Sequence, residues 1–358
     1  MKLKKISHST TPLAFLADGK LVTYHGGKIM IFKEDSIVKS IPIRISIKER
    51  LLGWSRLFSR LLRFGVRSSL PIDDQNIILS VGNILYELNI ETTYLSKGWC
   101  CKEGARPLAL TEVRGINGFQ DGFYFGEYLQ NNKKNPVSIY RRVAQNKWES
   151  IYTFSNGLVN HVHNIVADPY NNCLWVLTGD FDEAAAIWKV TDNFNKVERI
   201  VYNDQKYRGC VAFATPNGLL YATDTPFSDN YIYLFKPNNQ ETIPLFHLHG
   251  SCIYGCMWKD NFVFSSTVEG DGRDESLWDF FFDREKGPGI IDEYVHLYIG
   301  NPDKGFKEIY SEKKDRLSFL FQFGAFKFPS GPNMSNDLFF QPVATTKNDL
   351  ALLCFSDE

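Results

Sequence analysis

Short apolar runs alternate with polar turns along this chain, and the pattern recurs about every fifty residues. Each copy holds an apolar run, a turn rich in Gly, Asp or Asn, and a second apolar run that ends in a polar cluster. The clearest copies are RGINGFQDGFYFGEY from Arg114, HVHNIVADPYNNCLWVLTGD from His161 and RGCVAFATPNGLLYATDT from Arg208. Each is followed by an aromatic strand-like pair: Ile139-Tyr140, Ile187-Trp188 and Ile232-Tyr233. Several short strands per copy at this period predict an all-β chain folded as a single closed β-propeller over residues 1–358.

Seven copies can be counted. The first starts at His8 and turns at Asp18-Gly19, a hairpin signal. The second starts near Arg67, the sixth near Tyr254 and the seventh near Leu317. The seventh lacks a fourth strand, and Leu3-Lys4-Lys5-Ile6 is expected to supply it, closing the ring without a free sheet edge. Seven blades result, or six if the first and last copies share one.

Two longer inserts break the period. Residues 47–66 read as an amphipathic basic helix, with Arg56, Arg60, Arg63 and Arg67 on one side and Leu51, Trp54, Phe58, Leu61 and Leu62 on the other. One expectation is peripheral membrane contact through residues 47–64, apolar groups dipping into the interface and arginines meeting anionic lipid. The other is packing on the propeller rim. Residues 270–294 form a loop insert with polar ends and an aromatic centre.

Composition narrows the class. The formal net charge of -1 offers no global basic field, so no nucleic-acid partner is expected. The 7 Cys form no CxxC pair, which suggests a reducing compartment. The N-terminus does not read as a signal peptide, and no apolar stretch reaches the length of a membrane span. A cytoplasmic protein follows as the expectation, with peripheral attachment at the inner face of the membrane if the helix binds lipid.

Propeller geometry places the chemistry. The start of each innermost strand and the end of each second strand share one face and ring the channel mouth. Innermost-strand starts carry Arg67, Arg114, His161 with His163, Arg208 and Tyr254. Second-strand ends carry His25, Glu127 with Tyr128, Asp180, Asp224 and Glu269 with Asp271. Arg67, Arg114, Arg208, His163 and His25 are the expected substrate-binding residues, because arginine forks grip carboxylates bidentately. Glu127, Tyr128, Asp180, Asp224, His161, Tyr254 and Glu269 are the expected catalytic groups, since paired carboxylates or a Tyr beside a Glu suit glycosidic-bond cleavage. The competing assignment for the arginines is blade-to-blade ion pairing. His161 and His163 share a strand face at metal-binding spacing, but no third ligand is evident, so no metal and no cofactor are expected. His247 and His249 are expected in an outer strand.

These residues resemble bacterial propellers of the sialidase-like, BNR (Asp-box) repeat type found in surface-polysaccharide gene clusters. Asp-box remnants stand at Thr191-Asp192-Asn193 and at Asn301-Pro302-Asp303-Lys304-Gly305-Phe306. Arg67-Ser68-Ser69-Leu70-Pro71 stands where such enzymes carry Arg-Ile-Pro. The resemblance implies Arg67, Arg114 and Arg208 as an arginine triad, and Glu127-Tyr128 or Tyr254 with Glu269 as the nucleophile pair. It implies an acidic glycan or activated acidic sugar as partner, handled by hydrolysis or glycosyl transfer. A polysaccharide lyase using His and Tyr, and a non-catalytic glycan-binding or scaffold propeller, stay open beside it.

Overall fold

A computed structural model describes residues 1–34, 36–43, 52–53, 55–270 and 281–356. Leu51, Trp54, Asp271 and most of the 47–55 stretch, together with the centre of the 270–294 insert, lie outside the described residues. Seven four-stranded antiparallel sheets form seven blades of a propeller. The innermost strands are Thr11–Phe15, Ser68–Pro71, Thr111–Val113, His161–Asp168, Gly209–Thr215, Cys252–Trp258 and Ala325–Lys327. The seventh blade is closed by the N-terminal strand Lys2–Ser7, which pairs with Leu352–Ser356 in the register Leu3 to Phe355. Seven blades, not six, follow from this split pairing.

The core lies between blades. Each sheet is covered on both faces, so its second strand is apolar throughout rather than alternating. Cys173–Gly179 and Gly218–Thr223 are buried at every position. Flat side chains fill the gaps: Trp188 meets Phe154 edge-on at 5.0 Å, and Trp175 meets Phe235 at 5.8 Å. Asp168 ties its turn together, accepting from the backbone N–H of Tyr170 and Asn171 and from Trp175 Nε1 at 2.7 Å.

Two bulges recur from blade to blade. The third-to-fourth strand ladder slips between Ile31 and Phe32, Ile139 and Tyr140, Ile187 and Trp188, Ile232 and Tyr233, and Leu297 and Tyr298. The aromatic pairs legible in the sequence therefore mark the places where the blade twists more sharply. The innermost ladder slips between Val162 and Asn164, Gly209 and Val211, and Cys252 and Tyr254. His163, Cys210 and Ile253 sit at those slips, and a bulge re-aims side chains.

A six-residue helix, α1 (Arg56–Leu61), begins at Ser55, whose side chain accepts from the Phe58 N–H. Its orientation corrects the expected one. Arg60 is fully buried and pairs inward with Asp315 and Asp349, so it cannot meet lipid. Leu57, Phe58 and Leu62 face outward and are exposed. A helical wheel separates the two sides but does not say which side meets carboxylates. Among the described residues no helix is long and apolar enough to cross a membrane.

Candidate functional site

Innermost-strand starts and second-strand ends do gather at one end of the channel. A cavity of about 160 Å³ opens there, bordered by Arg63, Arg67, Arg106 and Lys327, by Arg208, Asp224 and Glu269, and by Tyr128 and Tyr254. Arg67 and Lys327 also border a larger cavity of about 570 Å³ beneath α1 and the channel cavity of about 200 Å³. They are the groups that all three spaces share.

The charges fall into two sets. Arg63, Arg67, Arg106 and Lys327 form the first. Among the described residues none of the four has an ion-pair partner; Arg106 lies over the Tyr128 ring at 5.1 Å and Lys327 over Tyr254 at 5.7 Å. Crowding shows in their proton affinities. Burial, then the charges of Arg106 and Arg63, lowers Arg67 to about 10, so it stays charged at neutral pH. Burial, then Arg67, Arg63 and Arg106, lowers Lys327 to about 7. Like charges held together without carboxylates are poised to accept an anion.

The second set is self-compensated. Asp180 Oδ1 lies 3.3 Å from His161 Nε2, 3.1 Å from His163 Nε2 and 3.2 Å from Arg208 Nη2. Burial opposes its ionisation, but the two histidines against it and the charge of Arg208 hold it well below the carboxylate range. Arg208 Nε stands 3.7 Å from Asp224, which also accepts from Cys210 Sγ at 3.0 Å. Burial lowers the Arg208 pKa, yet Asp224 and Asp180 together raise it. Glu269 accepts from Thr267 Oγ1 at 3.0 Å and is raised above the carboxylate range by burial and then by Asp224. Burial also raises Tyr128, and it raises Tyr254 to about 12 against the pull of Arg106 and Arg67.

Two expected site residues are misplaced. Arg114 follows the innermost strand Thr111–Val113 instead of starting it, is exposed, and pairs with Glu112 at 2.5 Å. It belongs to the far face. Glu127 is completely buried and turns into its own blade, accepting from Ser138 N–H at 2.8 Å and Tyr140 Oη at 3.3 Å. Tyr128 borders the mouth while the Glu127 carboxylate is turned into the blade, so the two do not stand as one pair. His25 is exposed at the rim of the larger cavity, its Nδ1 against Ser9 O, and stands outside the Asp180 cluster. His247 and His249 lie in and just after the outer strand Glu241–Leu248, as expected.

Three cations at the mouth were not expected there: Arg106 and Lys327, which the sequence reading did not single out, and Arg63, which it gave to the amphipathic helix. Lys327 had a signal, a lysine inside the apolar run Gly324-Ala325-Phe326-Lys327-Phe328. Arg106 stands before the apolar run Leu108–Leu110, which leads into the true innermost strand.

The described elements define a seven-bladed β-propeller with a partly basic channel mouth. No protein-family model and no curated protein matches the chain. Solved structures do. The β-propeller domain of Cps50 (Swd1) from Myceliophteria thermophila aligns with a TM-score of 0.58 at 8% identity, covering 100% of this chain and 99% of that one. The AfRom2 CNH domain aligns at 0.56 and 7% identity, covering 100% of both. The extracellular domain of a hybrid two-component system protein from B. thetaiotaomicron aligns at 0.56 and 10% identity, covering 99% of this chain and 39% of that one. At these identities the likeness shows the fold alone.

Proposed function

We propose that this protein is a non-catalytic binding propeller that captures an anionic ligand at its channel mouth. An acidic glycan is the favoured class. The observation that carries the reading is the uncompensated group of Arg63, Arg67, Arg106 and Lys327 around one cavity. Arg67, Arg106 and Lys327 are partly withdrawn from water beside an exposed Arg63, which costs stability unless an anion joins them, and a carboxylate-bearing sugar supplies the complementary charge.

Sialidase-like glycosidic cleavage, by hydrolysis or transfer, has weaker support. It needs two available carboxyl groups, one acid and one nucleophile or base. Glu127 faces away, and the near oxygen of Asp180 is shared by His161, His163 and Arg208. Of the carboxylates at the mouth, Glu269 is the least committed to cationic partners. The lyase reading needs a basic tyrosine or histidine, and burial makes Tyr128 and Tyr254 weaker acids rather than ready bases. A peripheral membrane contact of α1 stays part of the proposal, through Leu57, Phe58 and Leu62.

The test is calorimetric titration with oligogalacturonate, oligoglucuronate, sialyl-oligosaccharide and a neutral oligosaccharide of equal length. Acidic ligands are expected to bind and the neutral one to fail. Arg67→Ala with Arg106→Ala should abolish binding, while Arg114→Ala leaves it intact. Equal affinity for neutral and acidic glycans, or release of new reducing ends, would sink the proposal.

A further inference from the structure

The histidine pair beside the mouth has an unusual donor count. His161 Nδ1 lies 2.9 Å from the Leu129 carbonyl, and His163 Nδ1 lies 3.0 Å from the Gly209 carbonyl. A carbonyl oxygen only accepts, so each Nδ1 carries the ring hydrogen. In the neutral ring each Nε2 is then a bare lone pair. Those two lone pairs face each other at 2.9 Å. The Asp180 Oδ1 lone pairs complete a triangle with sides of 3.1 and 3.3 Å. Three acceptors meet at one point with no hydrogen among them.

The geometry points to a divalent first-row transition-metal site formed by His161 Nε2, His163 Nε2 and Asp180 Oδ1. Ligands about 2.1 Å from one ion are separated by about 3.0 Å at right angles and about 3.4 Å at the tetrahedral angle. Two of the observed separations, 3.1 and 3.3 Å, fall inside that interval, and the third, 2.9 Å, lies just below it. The backbone carbonyls behind each Nδ1 are the outer partners that fix a ligating histidine's tautomer and ring plane. Two imidazoles and one carboxylate select zinc, cobalt, manganese or iron over calcium or magnesium.

A second observation is independent of the triangle. Asp224 Oδ1 is buried without a hydrogen-bond partner. His163, Cys210 and Asp224 also offer ligand atoms within 4.8 Å of one another. A second carboxylate, Asp224, thus borders the histidine pair on the side of His163. By contrast, in the cluster of His249, Asp292 and His296 no ring nitrogen faces another: His249 Nδ1 and both ring nitrogens of His296 face carboxylates.

Arg208 modulates the site. Its guanidinium already rests on Asp180 and Asp224, so it competes with a divalent ion for the same carboxylates. Removing it should tighten metal binding, whereas removing the Asp180 charge should weaken it.

The experiment uses the full chain, stripped with a chelator and titrated with cobalt(II) and then zinc(II). One equivalent of cobalt should bind with visible d–d absorption, raise the melting temperature and be displaced by zinc. Asp180→Asn keeps the side-chain volume and should weaken cobalt binding by at least about 10- to 100-fold. Arg208→Ala should bind more tightly than the wild type. The wild-type titration needs no variant to fold. Folded wild-type protein, verified by circular dichroism, that takes up neither ion stoichiometrically would overturn the proposal and leave a shared proton between the two rings.

Discussion

Replacing Arg60 by alanine tests whether charge fastens α1 to the ring. The Arg60 side chain is fully buried. It donates to Phe321 O at 2.7 Å and to Asp349 at 3.2 Å, and it pairs with Asp315. Among the described residues, its removal leaves Asp349 only Arg56 at 3.4 Å and Asp315 only Lys314 at 3.2 Å as cationic partners, and breaking a buried pair from one side costs about 3–5 kcal/mol. Unfolding entropy of about 2.1 cal/mol/K per residue over 358 residues converts that to a fall of roughly 4–7 °C in Tm. The pH dependence adds a signature. Burial raises the Asp315 pKa, but the Arg60 hydrogen bond and charge bring it below the ordinary value. That stabilisation is present above the unfolded carboxylate pKa and is lost as pH falls through the depressed folded value. Asp349 is already raised by burial in spite of Arg60. Without the arginine both folded-state values rise, so the variant's deficit should be largest near neutrality and shrink toward about pH 4. Scanning calorimetry at neutral and mildly acidic pH measures both quantities. A variant that melts with the wild type at neutral pH, or whose deficit grows in acid, refutes the reasoning.

Three further outcomes are expected. Lys327→Met should stabilise the fold most at and below about pH 7, where the full cost of the depressed lysine is present, and the gain should fade as pH rises toward about 10, the unfolded lysine's value; it should also flatten the loss of anion affinity as pH rises through about 7, which titrations on both sides of that value would read. Gly179→Ala would place a Cβ 2.2 Å from His163 Cε1, in a ring held on both sides; a loss of about 1–3 kcal/mol in denaturant unfolding together with loss of cobalt uptake is the expected pair of effects, and unchanged uptake would show that the ring can retreat. Leu57→Ser with Phe58→Ser should release the protein from anionic liposomes in flotation without lowering Tm, and equal flotation would assign those exposed side chains no role at a lipid surface.

The strands were legible because each apolar run is bounded by turn chemistry, as at Asp18-Gly19, where Gly19 takes φ +81°. The closing strand was legible from a deficit, a last copy one strand short. The mouth was read only in part. Arg114-Gly115 and Arg208-Gly209 are the same dipeptide, yet the first follows its innermost strand and the second opens one. A three-residue strand gives too little pattern to say which end is which, so Arg106 was passed over. The missing third partner of His161 and His163 was also present in the sequence, as Asp180. It could not be recognised, because the antiparallel pairing of His161 with Gly179 and the bulge at His163 bring it across. Side-chain alternation alone predicts neither.

The split seventh blade has a consequence for how the circle could be cut. Lys2 and Ser356 are partners in one ladder, so the two ends of the described fold stand side by side. A short peptide bridge could join them, and the chain could be reopened in the connection between two other blades. Such a permutant would keep every residue and every blade, but each blade would then be continuous. The new seam would be spanned by side chains and at most isolated backbone bonds, such as Val162 N–H to Glu127 O between two other blades, where the native arrangement has a row of backbone hydrogen bonds. Comparing the two would separate the cohesion of neighbouring sheets from the clasp that shuts the ring.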